Sequence, residues 1–86
     1  MNIAIYTKDN CNWCVKAKRL MNDLGMKYTE FKLGVDFTKE ELREKKNMAE
    51  WERLFLPQIF IGEKCIGGYE ELYEYCEATG MVGPET

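Results

Sequence analysis

Residues 2–7 set Ile3, Ile5 and Thr7 against Asn2, Ala4 and Tyr6 in alternation, with apolar side chains on both sides. That is the pattern of a strand enclosed within a sheet. From Cys14 the period changes. Ala17, Leu20, Met21 and Leu24 recur at helical spacing with charged residues between them, and Gly25 supplies a C-terminal stop. Alternation returns from Lys27 to Leu33 and is broken by Gly34, which predicts a second strand. Thr38 and Glu41 then stand three apart, flanked by Phe37 and Leu42, the signature of a capping box with a hydrophobic staple. A helix is predicted from Thr38, running past Leu42, Met48 and Trp51 with an irregularity near Asn47. It must end before Pro57, because the residue preceding a proline leaves the helical region.

Gln58 to Ile61 reads as a strand, Gly62-Glu63 as a tight turn, and Lys64-Cys65-Ile66 as the antiparallel partner. Gly67-Gly68 opens a last helix in which Leu72, Tyr75 or Cys76, and Thr79 share a face before Gly80. The order is βαβαββα, an α/β chain. Two strands joined through a helix pair in parallel by a right-handed crossover, whereas the closing hairpin is antiparallel. One mixed four-stranded sheet flanked by three helices is therefore expected, as one domain over residues 1–86, with no internal repeat or linker. At this length a chain hides only about 60 per cent of the surface it exposes when unfolded, so the core is small.

Composition adds exclusions. Apolar residues are 45% and charged residues 31%, an ordinary balance for a chain that folds alone. No apolar run approaches the roughly 18 residues of a membrane span, and Met1-Asn2-Ile3-Ala4 lacks the basic start of a signal peptide, so a cytoplasmic protein without membrane contact is expected. The net charge of −3 is unevenly spread: residues 8–27 hold five cations against two acids, whereas after Glu63 five further glutamates face only Lys64. The acidic C-terminal third argues against nucleic acid despite Tyr69, Tyr73 and Tyr75.

The chemistry is concentrated in Cys11-Asn12-Trp13-Cys14, where the first strand gives way to the first helix. A helix N-terminus has unpaired N–H groups and roughly half a positive charge, which stabilises a thiolate and lowers its pKa. The basic residues around the motif act in the same direction and would attract an anionic thiol. Two thiols at this spacing let one attack a disulfide and the other resolve the mixed disulfide. Cys11, at the helix start, is the expected attacking thiol, and Cys14, one turn inward, the resolving one. A secreted disulfide scaffold needs a secretion signal and a poor core, neither of which is present. A structural zinc site needs four ligands, but the chain has no His and no second CxxC, so no metal site is assigned. Cys65 and Cys76 read as small buried hydrophobes, and Trp51, Phe55 and Phe60 as core or helix-packing residues rather than a binding platform.

Four motifs in matching order make the chain resemble glutaredoxins over nearly its full length: Lys8-x-x-Cys11-x-x-Cys14, Leu56-Pro57-Gln58-Ile59-Phe60-Ile61, Cys65-Ile66-Gly67-Gly68 and Tyr69-Glu70-Glu71-Leu72. The resemblance implies a thioredoxin-like fold, a cis bond before Pro57, glutathione as reductant and co-substrate, and reduction of protein disulfides or glutathionylated proteins. Position by position, it implies that Lys8 meets a carboxylate of glutathione and that Trp13 walls the groove. It implies that the backbone of Leu56 beside Pro57 pairs with the cysteinyl moiety, and that Gln58 reaches the glycyl carboxylate or else faces solvent. Gly68, Tyr69 and Glu70 would receive the γ-glutamyl end, consistent with the affinity of a helix N-terminus for a carboxylate.

The chain departs from the commonest family motif by carrying Asn12-Trp13 where Pro-Tyr is usual. Asn12 restores a backbone N–H and Trp13 enlarges the aromatic face. The departure keeps a second reading open, an iron–sulfur cluster carrier with Cys11 as ligand and glutathione supplying further thiolates. A redoxin recharged by thioredoxin reductase is a third, opposed by Lys8, Trp13 and Glu70. The resemblance also makes ribonucleotide reductase a plausible client. The expected working state is a monomer.

Overall fold

In the computed structural model, which describes residues 2–80, the first predicted strand is β1 (Ile3–Thr7), and its alternation divides the molecule into layers. Ile3 and Ile5 enter a cluster with Ala17, Met21, Ile59, Leu72 and Cys76. That cluster joins one face of the sheet to α1 (Asn12–Asp23) and α3 (Tyr69–Ala78). Ala4 and Tyr6 pack instead with Phe37, Leu42 and Phe60, on the side of α2 (Lys39–Lys45). In β3 (Gln58–Ile61), Ile59 belongs to the first cluster and Phe60 to the second. The apolar character of these strands on both sides thus follows from burial on both sides. Each fully buried isoleucine contributes about 2 kcal/mol of transfer free energy.

The sheet order is β2-β1-β3-β4, with β2 at Thr29–Lys32 and β4 at Lys64–Gly67. β1 pairs with β2 in parallel, and β1 with β3 and β3 with β4 antiparallel, which is the mixed sheet with three helices expected from the chain. Aromatic packing reinforces the α2 side: the Tyr6 ring lies 5.0 Å from Phe31, 5.0 Å from Phe37 and 5.4 Å from Phe60. Met1 and residues 81–86, including the Glu85 counted in the acidic third, lie outside the described residues.

The second helix is shorter than its apolar spacing predicts. Its start is as read, with Thr38 accepting from the Glu41 N–H and Glu41 accepting from the Thr38 N–H. Its end comes at Lys45 because Asn47 takes a left-handed conformation (φ 57). There the Met48 N–H donates to the Arg43 carbonyl and the Asn47 N–H to the Glu44 carbonyl, a Schellman closure. The segment beyond is an irregular loop, tied back by the Arg43 guanidinium donating to the Glu52 carbonyl. Trp51 is consequently 85% exposed and Phe55 57% exposed, so the expectation that both pack in the core is corrected; Phe60 is buried as expected. At the other boundaries, α1 begins with Asn12 and has Cys11 as its N-cap, as expected of a helix that starts at Cys11, and in α3 it is Cys76 rather than Tyr75 that is fully buried.

Candidate active site

The chain leaves β1 at the buried Thr7 and turns through Lys8, Asp9 and Asn10. Asn10 adopts a left-handed φ of 54, which asparagine tolerates better than most residues. The turn is tied to β2 by Lys32 and Asp9, 3.1 Å apart. It delivers Cys11 as the N-cap of α1, where the Cys11 sulfur accepts from the Cys14 N–H at 3.2 Å. A sulfur in this place faces the unpaired N–H groups of the first turn, which favours its thiolate once reduced. Cys11 and Cys14 are joined in a disulfide, with their Cα atoms 5.2 Å apart. Of the two, Cys11 is the more accessible, at 9% against 2% for Cys14.

Opposite Cys11 stands the loop that leads into β3. The Leu56–Pro57 peptide bond is cis, and the Leu56 carbonyl oxygen lies 3.7 Å from the Cys11 sulfur. Beyond it the chain returns through β4 to Gly67 and Gly68. Gly67 has φ 114, and a Cβ there would stand 2.9 Å from the Glu71 side chain, so only glycine fits. Glu71 reaches back to accept from the Gly68 N–H at 2.8 Å, capping α3 with half of a capping box, since Gly68 has no side chain of its own. At Gly68 a Cβ would meet the Pro57 carbonyl at 3.4 Å. The two glycines therefore let α3 start close against the Pro57 loop.

Between these elements lies a groove of about 430 Å³ lined by Trp13, Phe55, Leu56, Pro57, Tyr69, Glu70 and Glu71. The Trp13 and Tyr69 rings, 5.7 Å apart, join its α1 and α3 sides, and the Lys16 ammonium lies 4.6 Å from the Trp13 ring centre. A hollow of about 380 Å³ at the opposite end of β1, beside Asn2, Tyr28 and Gly62, contains no thiol. The groove, with Leu56 in its lining, borders the Cys11 sulfur.

Of the residues singled out in the sequence, Trp13, Leu56, Pro57, Tyr69 and Glu70 line this groove together, whereas Gly68 is buried and is not among the lining residues. Lys8 is exposed on the turn before Cys11 and is not among the lining residues. Gln58 does not face solvent: it is wholly buried, donating to the Phe55 carbonyl at 2.8 Å and accepting from the Lys46 ammonium at 2.7 Å. Cys65 is half-buried, its sulfur 3.4 Å from the Gln58 side-chain oxygen Oε1, whereas Cys76 is fully buried and its thiol pKa is pushed up by that burial. The basic field around the dithiol is partly neutralised, because Lys18 pairs with Glu30 at 3.0 Å. Glu30 also accepts from the Thr7 hydroxyl at 2.7 Å, and that bond, with Lys18 adding to it, holds its carboxyl below the ordinary range. Sequence reasoning missed Phe55, Glu71 and Lys46. Glu71 was legible as the glutamate three residues after the N-cap, but Phe55 and Lys46 were hidden by the overlong helix.

The Glutaredoxin family model matches residues 3–66. The chain belongs to the glutaredoxin family. It is 35% identical over 83 residues to glutaredoxin 3 of Escherichia coli, covering 96% of this chain and 94% of that protein. It is also 40% identical over 74 residues to a hybrid peroxiredoxin of Haemophilus influenzae, 86% of this chain but only 29% of that longer protein. Among solved structures, the buckwheat glutaredoxin–glutathione complex superposes with a TM-score of 0.68 at 26% identity, covering 93% of this chain and 72% of that one. The four-stranded mixed sheet with three helices is that of glutaredoxin structures, the thioredoxin-like fold expected from the four motifs. With its paired cysteines the chain is a thiol–disulfide oxidoreductase. Among the described residues, no three His, Cys, Asp or Glu side chains gather in metal-binding geometry, and no helix is long and apolar enough to cross a membrane.

Proposed function

We propose that this glutaredoxin-family chain reduces glutathione mixed disulfides and protein disulfides, with glutathione as its reductant. The observation that carries this reading is the groove beside Cys11: an aromatic wall, the Leu56 backbone next to a buried proline, and a helix start bearing Glu70. The similarity to a glutaredoxin solved with glutathione supports it. In this reading the γ-glutamyl end lies at Gly68, Tyr69 and Glu70, where the α3 N-terminus favours carboxylate and Glu70 accepts from the ammonium. Trp13 covers the ligand, the Leu56 backbone pairs with its cysteinyl part, and Lys8 meets its glycyl end from outside the lining.

Reduction of a glutathionylated substrate then proceeds in two exchanges. The Cys11 thiolate attacks the glutathionyl sulfur, the substrate leaves as its thiolate, and a Cys11–glutathione disulfide forms. A second glutathione attacks that disulfide, giving oxidised glutathione and regenerating the Cys11 thiolate. With a protein disulfide, Cys11 forms a mixed disulfide, Cys14 attacks its Cys11 sulfur to free the client as a dithiol, and two glutathiones reduce the resulting Cys11–Cys14 bond. The cytoplasm is the proposed location, the monomer the proposed working state, and ribonucleotide reductase one proposed client. The match to a hybrid peroxiredoxin adds a peroxiredoxin disulfide to the clients worth assaying.

Glutathione-dependent reduction of a small mixed disulfide by the unmodified protein, Cys11→Ser and Cys14→Ser tests this reading. Activity is expected to vanish with Cys11 and to survive loss of Cys14, while reduction of a protein disulfide falls with either. Equal collapse of both activities in Cys14→Ser would contradict the division of labour. An unmodified protein inactive with glutathione would contradict the reductant.

A further inference from the structure

We propose that Lys46 is a positioning residue that sets the Phe55–Leu56 wall of the groove by acting through Gln58. The proposal deepens the glutathione reading of the groove and rests on it. Its basis is a continuous chain of contacts. Lys46, at the C-cap of α2, donates to Gln58 Oε1 at 2.7 Å. Gln58 Nε2 donates in turn to the Phe55 carbonyl at 2.8 Å. Phe55 lines the groove with its ring, and the next carbonyl, of Leu56, lies 3.7 Å from the Cys11 sulfur. The Lys46 ammonium also stands 5.9 Å from the Phe55 ring centre, so one cation bears on both the backbone and the ring of Phe55.

The direction of control follows from donor and acceptor chemistry. An amide side chain presents an oxygen at one side and an NH₂ at the other, and turning it over exchanges them. An ammonium group only donates, so beside Lys46 the oxygen must face α2 and the NH₂ must face the Phe55 carbonyl. Gln58 is wholly buried, so a turned amide would set two oxygens against each other with no solvent to relieve them. Without the ammonium, the partner left to Gln58 Oε1 is the Cys65 thiol at 3.4 Å, a weak donor. The Phe55 carbonyl still calls for the NH₂, but Oε1 has lost its charged donor, so the amide and the 55–58 turn that it closes are held less firmly. Exposed Phe55 has little packing of its own to keep it in place. The substrate-facing wall therefore depends on a cation that lies outside the groove lining.

The test compares Lys46→Met and Lys46→Arg with the unmodified protein by two readouts. In the ligand-free protein, NMR exchange of the Gln58 side-chain amide protons is expected to be about tenfold faster in Lys46→Met. In the mixed-disulfide assay, KM for the glutathionylated substrate is expected to rise roughly fivefold while kcat stays within about twofold. Arginine, also a donor-only cation, is expected to restore both. Unchanged amide exchange in Lys46→Met overturns the proposal, as do faster exchange with an unchanged KM and failure of arginine to rescue. Lys46→Leu, which likewise offers no donor, replaces methionine if that variant unfolds, with the same expectations. An unmodified protein inactive with glutathione contradicts the reading of the site, and the amide exchange alone then decides the part played by Lys46.

Discussion

Cys11, Cys14 and Cys76 are chemically the same residue in three settings, and setting decides what each can do. Cys11 caps a helix and borders a groove, Cys14 is enclosed one turn further on, and Cys76 is sealed between α3 and the sheet, 3.9 Å from the Met26 sulfur. Burial raises the Cys76 thiol pKa, so at neutral pH it is neither ionised nor reachable. After reduction, brief treatment with iodoacetamide is expected to label Cys11 and to spare Cys76 until denaturant is added, as read by peptide mass spectrometry. Rapid native labelling of Cys76 would contradict its placement. The placement of Cys11 and Cys14 at the start of α1 was legible in the chain from the change of period at the CxxC motif, and that of Cys76 from its position on the apolar face of the last helix. Gln58 was not legible: a polar residue opening a strand reads as outward, and its burial is made tolerable by the Lys46 ammonium, the Phe55 carbonyl and the Cys65 thiol.

Helices announce their starts more clearly than their ends. Thr38 and Glu41 spell out the N-terminus of α2 in sequence, and both of the expected hydrogen bonds are made. Replacing Thr38 by alanine is expected to lower stability by about 1 kcal/mol, measured by urea denaturation. A change near zero would mean that the cap is dispensable. The C-terminus of the same helix turns on Asn47 in a left-handed conformation, a weaker signal than glycine because asparagine occupies many other settings. Apolar residues at Met48, Trp51 and Phe55 continue a plausible helical reading past the true end. The consequence reaches the site, since the loop released at Asn47 is what brings Phe55 to the groove. By contrast the Gly25 stop of α1 and the closing hairpin matched their predictions, because glycine at a positive φ and a Gly-containing turn leave few alternatives.

Across the whole molecule, the parallel pairing of β1 with β2 and the antiparallel hairpin of β3 and β4 were legible, whereas the β1–β3 pairing that joins them into one sheet was not, since no local pattern links those two strands. Charge pairing between layers was not, since no local pattern links Lys18 on α1 to Glu30 on β2 and through it to Thr7 on β1. This contact makes stability depend on pH. The Thr7 bond, then Lys18, hold the folded Glu30 pKa below its ordinary value of 4.5, so the contribution is complete above that value and is lost as pH falls through the lower, folded one. In urea titrations, the stability difference between the unmodified protein and Glu30→Gln is expected to be constant near neutrality and to shrink in acid below about pH 4.5. A difference that does not vary with pH would place the effect elsewhere.

In the proposed function, Cys11 works through a glutathione disulfide seated in the groove between Trp13, the Leu56–Pro57 loop and the start of α3. It is tested most directly by loading Cys14→Ser with oxidised glutathione and recording NMR contacts between the attached glutathione and the protein. One glutathione on Cys11, with contacts to the Trp13, Phe55 and Tyr69 rings and its γ-glutamyl end beside Gly68 and Glu70, is the predicted result. A glutathione that attaches but tumbles free of those rings would contradict it.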